Sequence, residues 1–103
     1  GWLEVGIVRR ARGDVSGAAG AFRRAVELQP ELARAWVNLG AALAASGDRV
    51  EALRAFEEAV RHAPDDADAR FNLATLLRES GREEEARRHF ERARELEGAA
   101  GAS

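Results

Sequence analysis

The sequence predicts an all-α fold, a solenoid of three helical hairpins. Three observations carry the prediction. Residues recur at a spacing of 34: Phe22, Phe56 and Phe90; Gly13, Gly47 and Gly81; and two alanine columns, Ala18, Ala52, Ala86 and Ala25, Ala59, Ala93. A fixed period of that length marks stacked supersecondary units. Within each period apolar residues return every three or four positions, as in Val50, Leu53, Phe56 and Val60 or Phe71, Leu73, Leu76 and Leu77, which is the spacing of one helix face and not strand alternation. The glycine column divides each period into two helices, because glycine takes the left-handed conformation that ends a helix without a Cβ penalty.

The elements follow in order. The first helix of each repeat carries a small residue, Gly6, Gly40 or Ala74, and with the alanine columns these positions let helix backbones approach to the short end of the usual ~8 to 10 Å. The phenylalanines fill the remaining space. After each glycine a second helix begins. Asp48 stands three residues before Glu51 and reads as a capping box, while Asp14 caps alone. Arg82 breaks that pattern, and there Glu83, Glu84 and Glu85 place negative charge on the first turn, with Arg87 and Arg88 in reach. Pro30 and Pro64 close the second helices. The repeats are then residues 1–32, 33–66 and 67–100 in one domain over 1–97, with 98–103 a flexible tail.

Composition narrows the function. The 103 residues include 16 basic and 18 acidic ones, and so balanced a charge points to neither a nucleic acid nor an anionic membrane surface. The longest uncharged run, Ala35 to Gly47, is 13 residues, too short to span a bilayer. Without cysteine there is no disulfide or thiolate chemistry. The compartment stays open, the cytoplasm slightly favoured. No methionine and no leader pattern open the chain, so it is expected to be a segment of a longer protein. His62 and His89 are 27 residues apart and neither has a second ligand at i+4 on its own helix, so neither a catalytic set nor a metal site is expected, and no cofactor is implied. The Arg9, Arg10, Arg12 and Arg87, Arg88, Arg92, Arg94 groups alternate with acids and read as solvated faces.

Residues 33 to 66 carry Trp36, Leu39, Gly40, Leu43, Ala52, Phe56, Ala59 and Pro64, an order that resembles the tetratricopeptide repeat. The first repeat keeps Trp2, Val5, Gly6, Ala18, Phe22, Ala25 and Pro30 but has Arg9 for the large apolar residue. The third keeps Leu73, Leu77, Ala86, Phe90 and Ala93, and loses Trp and Pro to Arg70 and Gly98. The resemblance implies a right-handed superhelix whose first helices line a concave groove, and a protein or peptide as partner. On those helices, off the packing columns, the groove candidates are Leu3, Ile7, Val37, Asn38, Ala41, Asp68, Phe71, Asn72, Thr75 and Arg78.

The carboxylate clamp of the family's co-chaperone branch is not matched: Leu3, Ile7, Asn38, Asp68 and Asn72 stand at its positions, and only one residue survives. Asn38 and Asn72 are similar instead to the asparagine ladder of O-linked N-acetylglucosamine transferases and kinesin light chains, although Glu4 interrupts it. A side-chain amide pairs with an extended peptide backbone as donor and acceptor together. The alternative is that both asparagines are solvated or bonded inside their own repeat. A second functional alternative concerns the ends, where Leu3, Ile7, Leu76 and Leu77 are expected to be partly uncovered and to stack end to end, making the chain a homo-oligomerising or spacer segment of a longer repeat array.

Overall fold

The computed structural model describes residues 1–102. They form α1 (Trp2–Ala11), α2 (Val15–Leu28), α3 (Ala33–Ala45), α4 (Arg49–His62), α5 (Ala67–Glu79) and α6 (Glu83–Ala102), and no strand occurs among them. The hairpins are α1–α2, α3–α4 and α5–α6, and each second helix packs on the first helix of the next hairpin, α2 on α3 and α4 on α5.

Every hairpin turn has the same construction. Gly13, Gly47 and Gly81 lie at φ +83°, +87° and +83°, and each turn closes with two reverse hydrogen bonds. In the first, the Gly13 N–H donates to Arg10 O at 3.0 Å and the Asp14 N–H to Arg9 O at 2.9 Å. This pair is the Schellman motif, which satisfies carbonyls that the helix end leaves unbonded. The next helix is then capped by Asp14, which accepts from the Gly17 N–H at 2.9 Å, or Asp48, which accepts from the Glu51 N–H at 3.2 Å. The reciprocal half of the expected capping box does not form, because the Glu51 carboxylate pairs across the helices with Arg23 at 3.1 Å.

Packing explains the small columns. A Cβ added at Gly40 would lie 2.7 Å from the Phe56 ring, and one at Gly6 would lie 2.4 Å from the Phe22 ring, so each ring rests on the glycine of its partner helix. Ala18, Ala52 and Ala59 are wholly buried in the same crossings. Trp36 is fixed outside this layer by its indole N–H, which donates to Pro30 O at 2.6 Å. One period later Arg70 stands in the tryptophan position and its Nε–H donates to Pro64 O at 2.7 Å. The arginine therefore keeps the tie between the inter-repeat turn and the helix that follows it.

Two expectations are corrected. The segment 98–103 is not a flexible tail as far as it is described: α6 runs through Ala102, and Ser103 lies outside the described residues. α2 and α4 stop two residues before Pro30 and Pro64, whereas Gly98 takes that place in α6. Glycine costs a helix only ~1 kcal/mol and keeps its N–H, so the helix continues. Leu76 and Leu77 are buried and not partly uncovered, since α6 and α4 close over α5. The outer columns of α6 are polar as well, with Arg87 where Ala19 and Leu53 stand and Arg94 where Val26 and Val60 stand.

Two glycines on neighbouring helices should respond oppositely to a methyl group. Gly20 faces open space in the middle of α2, so Gly20→Ala should raise stability by about 0.5 to 1 kcal/mol. Gly40→Ala should lower it by about 1 to 3 kcal/mol despite alanine's better helix propensity, because the buried Phe56 ring cannot yield. Urea denaturation of the two variants measures both signs.

Candidate functional site

The first helices α1, α3 and α5 share one face, and the 34-residue spacing arranges its residues in rows. Leu3, Val37 and Phe71 form one row; Ile7, Ala41 and Thr75 form another; Asn38 and Asn72 stand beside the first. Between α3 and α5 the face dips into a depression of about 230 Å³ lined by Arg34, Val37, Asp66, Asp68, Phe71 and Asn72. Four of the predicted groove residues thus converge there. At its rim Asp66 caps α5 by accepting from the N–H groups of Asp68 and Ala69 at 3.0 and 3.2 Å. Asp66 was legible as an aspartate immediately before the first helical residue, a signal obscured by giving the boundary to Pro64 alone.

The two asparagines differ. Asn72 Nδ2 donates to Asp68 O on its own helix at 2.9 Å, which spends one donor and leaves the amide oxygen as an acceptor. Asn38, partly buried, makes no side-chain hydrogen bond among the described residues, so its donors and acceptor are uncommitted. Thr75 is also turned inward on its helix, its hydroxyl donating to Phe71 O at 2.9 Å.

Beside the depression, α5 and α6 meet through an aromatic and cationic cluster. Phe71 is 54% exposed, and its ring meets Phe90 edge-on at 5.4 Å and 71°. The Arg78 guanidinium lies 5.0 Å over the Phe90 ring. Phe90 was expected only as core. With Ala74 in place of the glycine of the other repeats there is no bare backbone for its ring to rest on, and it is only partly buried.

A second exposed apolar surface is on α1, apart from the single exposed side chains Leu28 of α2 and Val50 of α4. Val5 and Val8 are 37% and 47% exposed, while their counterparts Leu39 and Ala42 are 3% and 2% exposed because α2 covers them. With Gly1, Glu4, Arg9 and Arg12 the two valines line a depression of about 370 Å³. Of the four predicted end residues, Leu3 packs partly into the core, Ile7 is exposed, and Leu76 and Leu77 are buried.

The tetratricopeptide repeat family model matches residues 31–96, and a second, described as TPR repeat, matches residues 6–47. A comparison with curated proteins gives no match. Among solved structures, MamA superposes with a TM-score of 0.93 at 22% identity over 99% of this chain and 60% of MamA. SycD, the type III secretion translocator chaperone of Yersinia enterocolitica, gives 0.87 at 21% identity over 92% of this chain and 66% of SycD. A chain of the CopN–Scc3 complex gives 0.83 at 23% identity over 89% of this chain and 54% of that one. The chain therefore spans about 60% of the length of MamA, and these likenesses establish the fold.

Phe71 and Phe56 should separate a surface ring from a structural one. Phe71→Ala should cost only about 0.5 to 1.5 kcal/mol, the worth of an aromatic pair, whereas Phe56→Ala should cost about 3 to 5 kcal/mol. Chemical denaturation of both variants makes the comparison, and equal losses would put Phe71 among the core residues.

Proposed function

The chain belongs to the tetratricopeptide repeat family of protein-interaction scaffolds, and on that premise we propose that its first-helix face holds an extended segment of a protein partner. The observation that carries this reading is the meeting of the exposed Phe71 ring with Val37, Asp68 and Asn72 in one depression between α3 and α5, with the uncommitted amide of Asn38 next along α3 after Val37. An extended peptide offers backbone donors and acceptors to the amide and an apolar side chain to the ring. Two of the similar structures bear the names of a chaperone and of a protein complex, which supports a polypeptide ligand. A peptide selected for binding should lose about tenfold in affinity, roughly 1.4 kcal/mol, with Asn38→Ala or Phe71→Ala. Arg54→Ala on the opposite face should leave binding unchanged, and unaltered affinity in the groove variants would refute the reading.

A second reading rests on the exposed Val5 and Val8. The polar outer face of α6 disfavours head-to-tail stacking, so copies would pair through their α1 edges in a closed dimer. Light scattering over a range of concentrations should then show a dimer that Val8→Glu abolishes. A monomer at every concentration removes this reading and leaves the groove reading intact.

A further inference from the structure

The second helices form the face opposite the groove, and the repeat period places a valley between neighbouring ones. The first valley, about 580 Å³, includes Trp36, Glu51, Arg54 and Ala55 among its lining residues. One period on lies a valley of about 440 Å³ lined by Arg70, Glu85, Arg88 and His89. These are the same four positions. Glutamate and arginine are kept, while tryptophan has become Arg70 and alanine has become His89.

The charges around the second valley are rearranged to match. In the first, Arg23 of α2 pairs with Glu51 of α4 at 3.1 Å. One period later the arginine position is Glu57, so that cross-helix ion pair is not repeated. Arg82, standing where Asp14 and Asp48 cap the other hairpins, binds Glu85 through Nε at 2.9 Å and Nη2 at 3.0 Å and also attracts Glu57. The Glu85 carboxylate is thereby held by Arg82, while the Arg88 charge also acts on it. Arg88 makes no hydrogen bond or ion pair among the described residues. Arg70 is held by Pro64 O and by His89, its Nη1 lying 3.2 Å from the imidazole Nδ1. A guanidinium only donates, so Nδ1 accepts and the neutral ring carries its proton on Nε2.

We propose that this valley is an oxyanion site, taking a carboxylate or phosphomonoester group between the guanidinium groups of Arg70 and Arg88 and the imidazole of His89. Both guanidiniums have donors to spare, and charge-assisted hydrogen bonds to such oxygens are the strong ones. The site is independent of the groove, which lies on the other side of the solenoid. It also binds a proton with its ligand. Burial first, then the charge of Arg70 on α5, holds the free His89 imidazole below its ordinary value of 6.5; Arg88 on α6 adds to this, while Glu85 on α6 and Glu57 on α4 oppose it. A bound anion favours the imidazolium, so the bound-state pKa is the higher one. Affinity therefore rises as pH falls through that bound-state value and levels off below the free-state value.

The test follows the two histidine rings by NMR from pH 8 to 5 at constant ionic strength, with sulfate as a pH-invariant stand-in for the phosphomonoester, with acetate, and with chloride as control. Sulfate or acetate should raise the His89 pKa by about half a pH unit or more and leave His62 unmoved; which of the two does so identifies the ligand class. Arg88→Gln should abolish the shift. Arg70→Trp combined with His89→Ala restores the first valley's residues at these two positions and should retain the parent's thermal midpoint while showing no sulfate-induced chemical-shift change at residues around position 88. Three results would overturn the proposal: no His89 response to either anion, equal movement of His62, or a response that survives Arg88→Gln.

Discussion

A phenylalanine ring resting directly on the backbone of the facing helix is the contact on which the rest of the structure depends. Phe22 on Gly6 and Phe56 on Gly40 leave no space for a methyl group, and that closeness sets the angle and separation of the first two hairpins. Because the second helix of one hairpin packs on the first helix of the next, the same geometry propagates along the chain. All first helices then share one face and all second helices the other. A groove on one side and a series of valleys on the other are consequences of this single repeated crossing.

The third repeat departs from the pattern at several positions, and the departures are related. Arg70 replaces a tryptophan yet makes the same bond to the preceding proline carbonyl. Arg82 gives up an N-cap and binds the Glu85 carboxylate, with Glu57 adding to the negative field around it. Ala74 removes the bare backbone under Phe90, and that ring joins Phe71 and Arg78 beside the depression. Gly98 in place of proline lets α6 extend through Ala102. Each change keeps the hairpin while altering what its two faces present, so the last repeat carries most of the chain's chemical individuality.

The two ends of the solenoid are unlike one another. The outer columns of α6 are arginines where earlier second helices have alanine, leucine or valine, which makes that end compatible with water. α1 instead exposes Val5 and Val8 at columns that are buried elsewhere. The edge that sequence reasoning divided between both ends is therefore concentrated on α1, and the leucines Leu76 and Leu77 belong to the interior.

The sequence by itself determined the hairpins, their glycine turns, the caps at Asp14 and Asp48, and the packing columns. These are local or periodic properties: a positive φ calls for glycine, a first turn for an acceptor, a tight crossing for a small residue. It also placed Val37, Asp68, Phe71 and Asn72 on one face, because a common phase on stacked helices is readable from a fixed period. Only the tertiary structure decided how those side chains spend their hydrogen bonds, so that Asn72 turns to its own helix while Asn38 stays open. It alone brought Arg70 to His89, since residues 19 positions apart on different helices share no periodic signal. Burial of Leu76 and exposure of Val8 were decided there too, because position in a repeat is identical for both and only the presence of a covering helix differs.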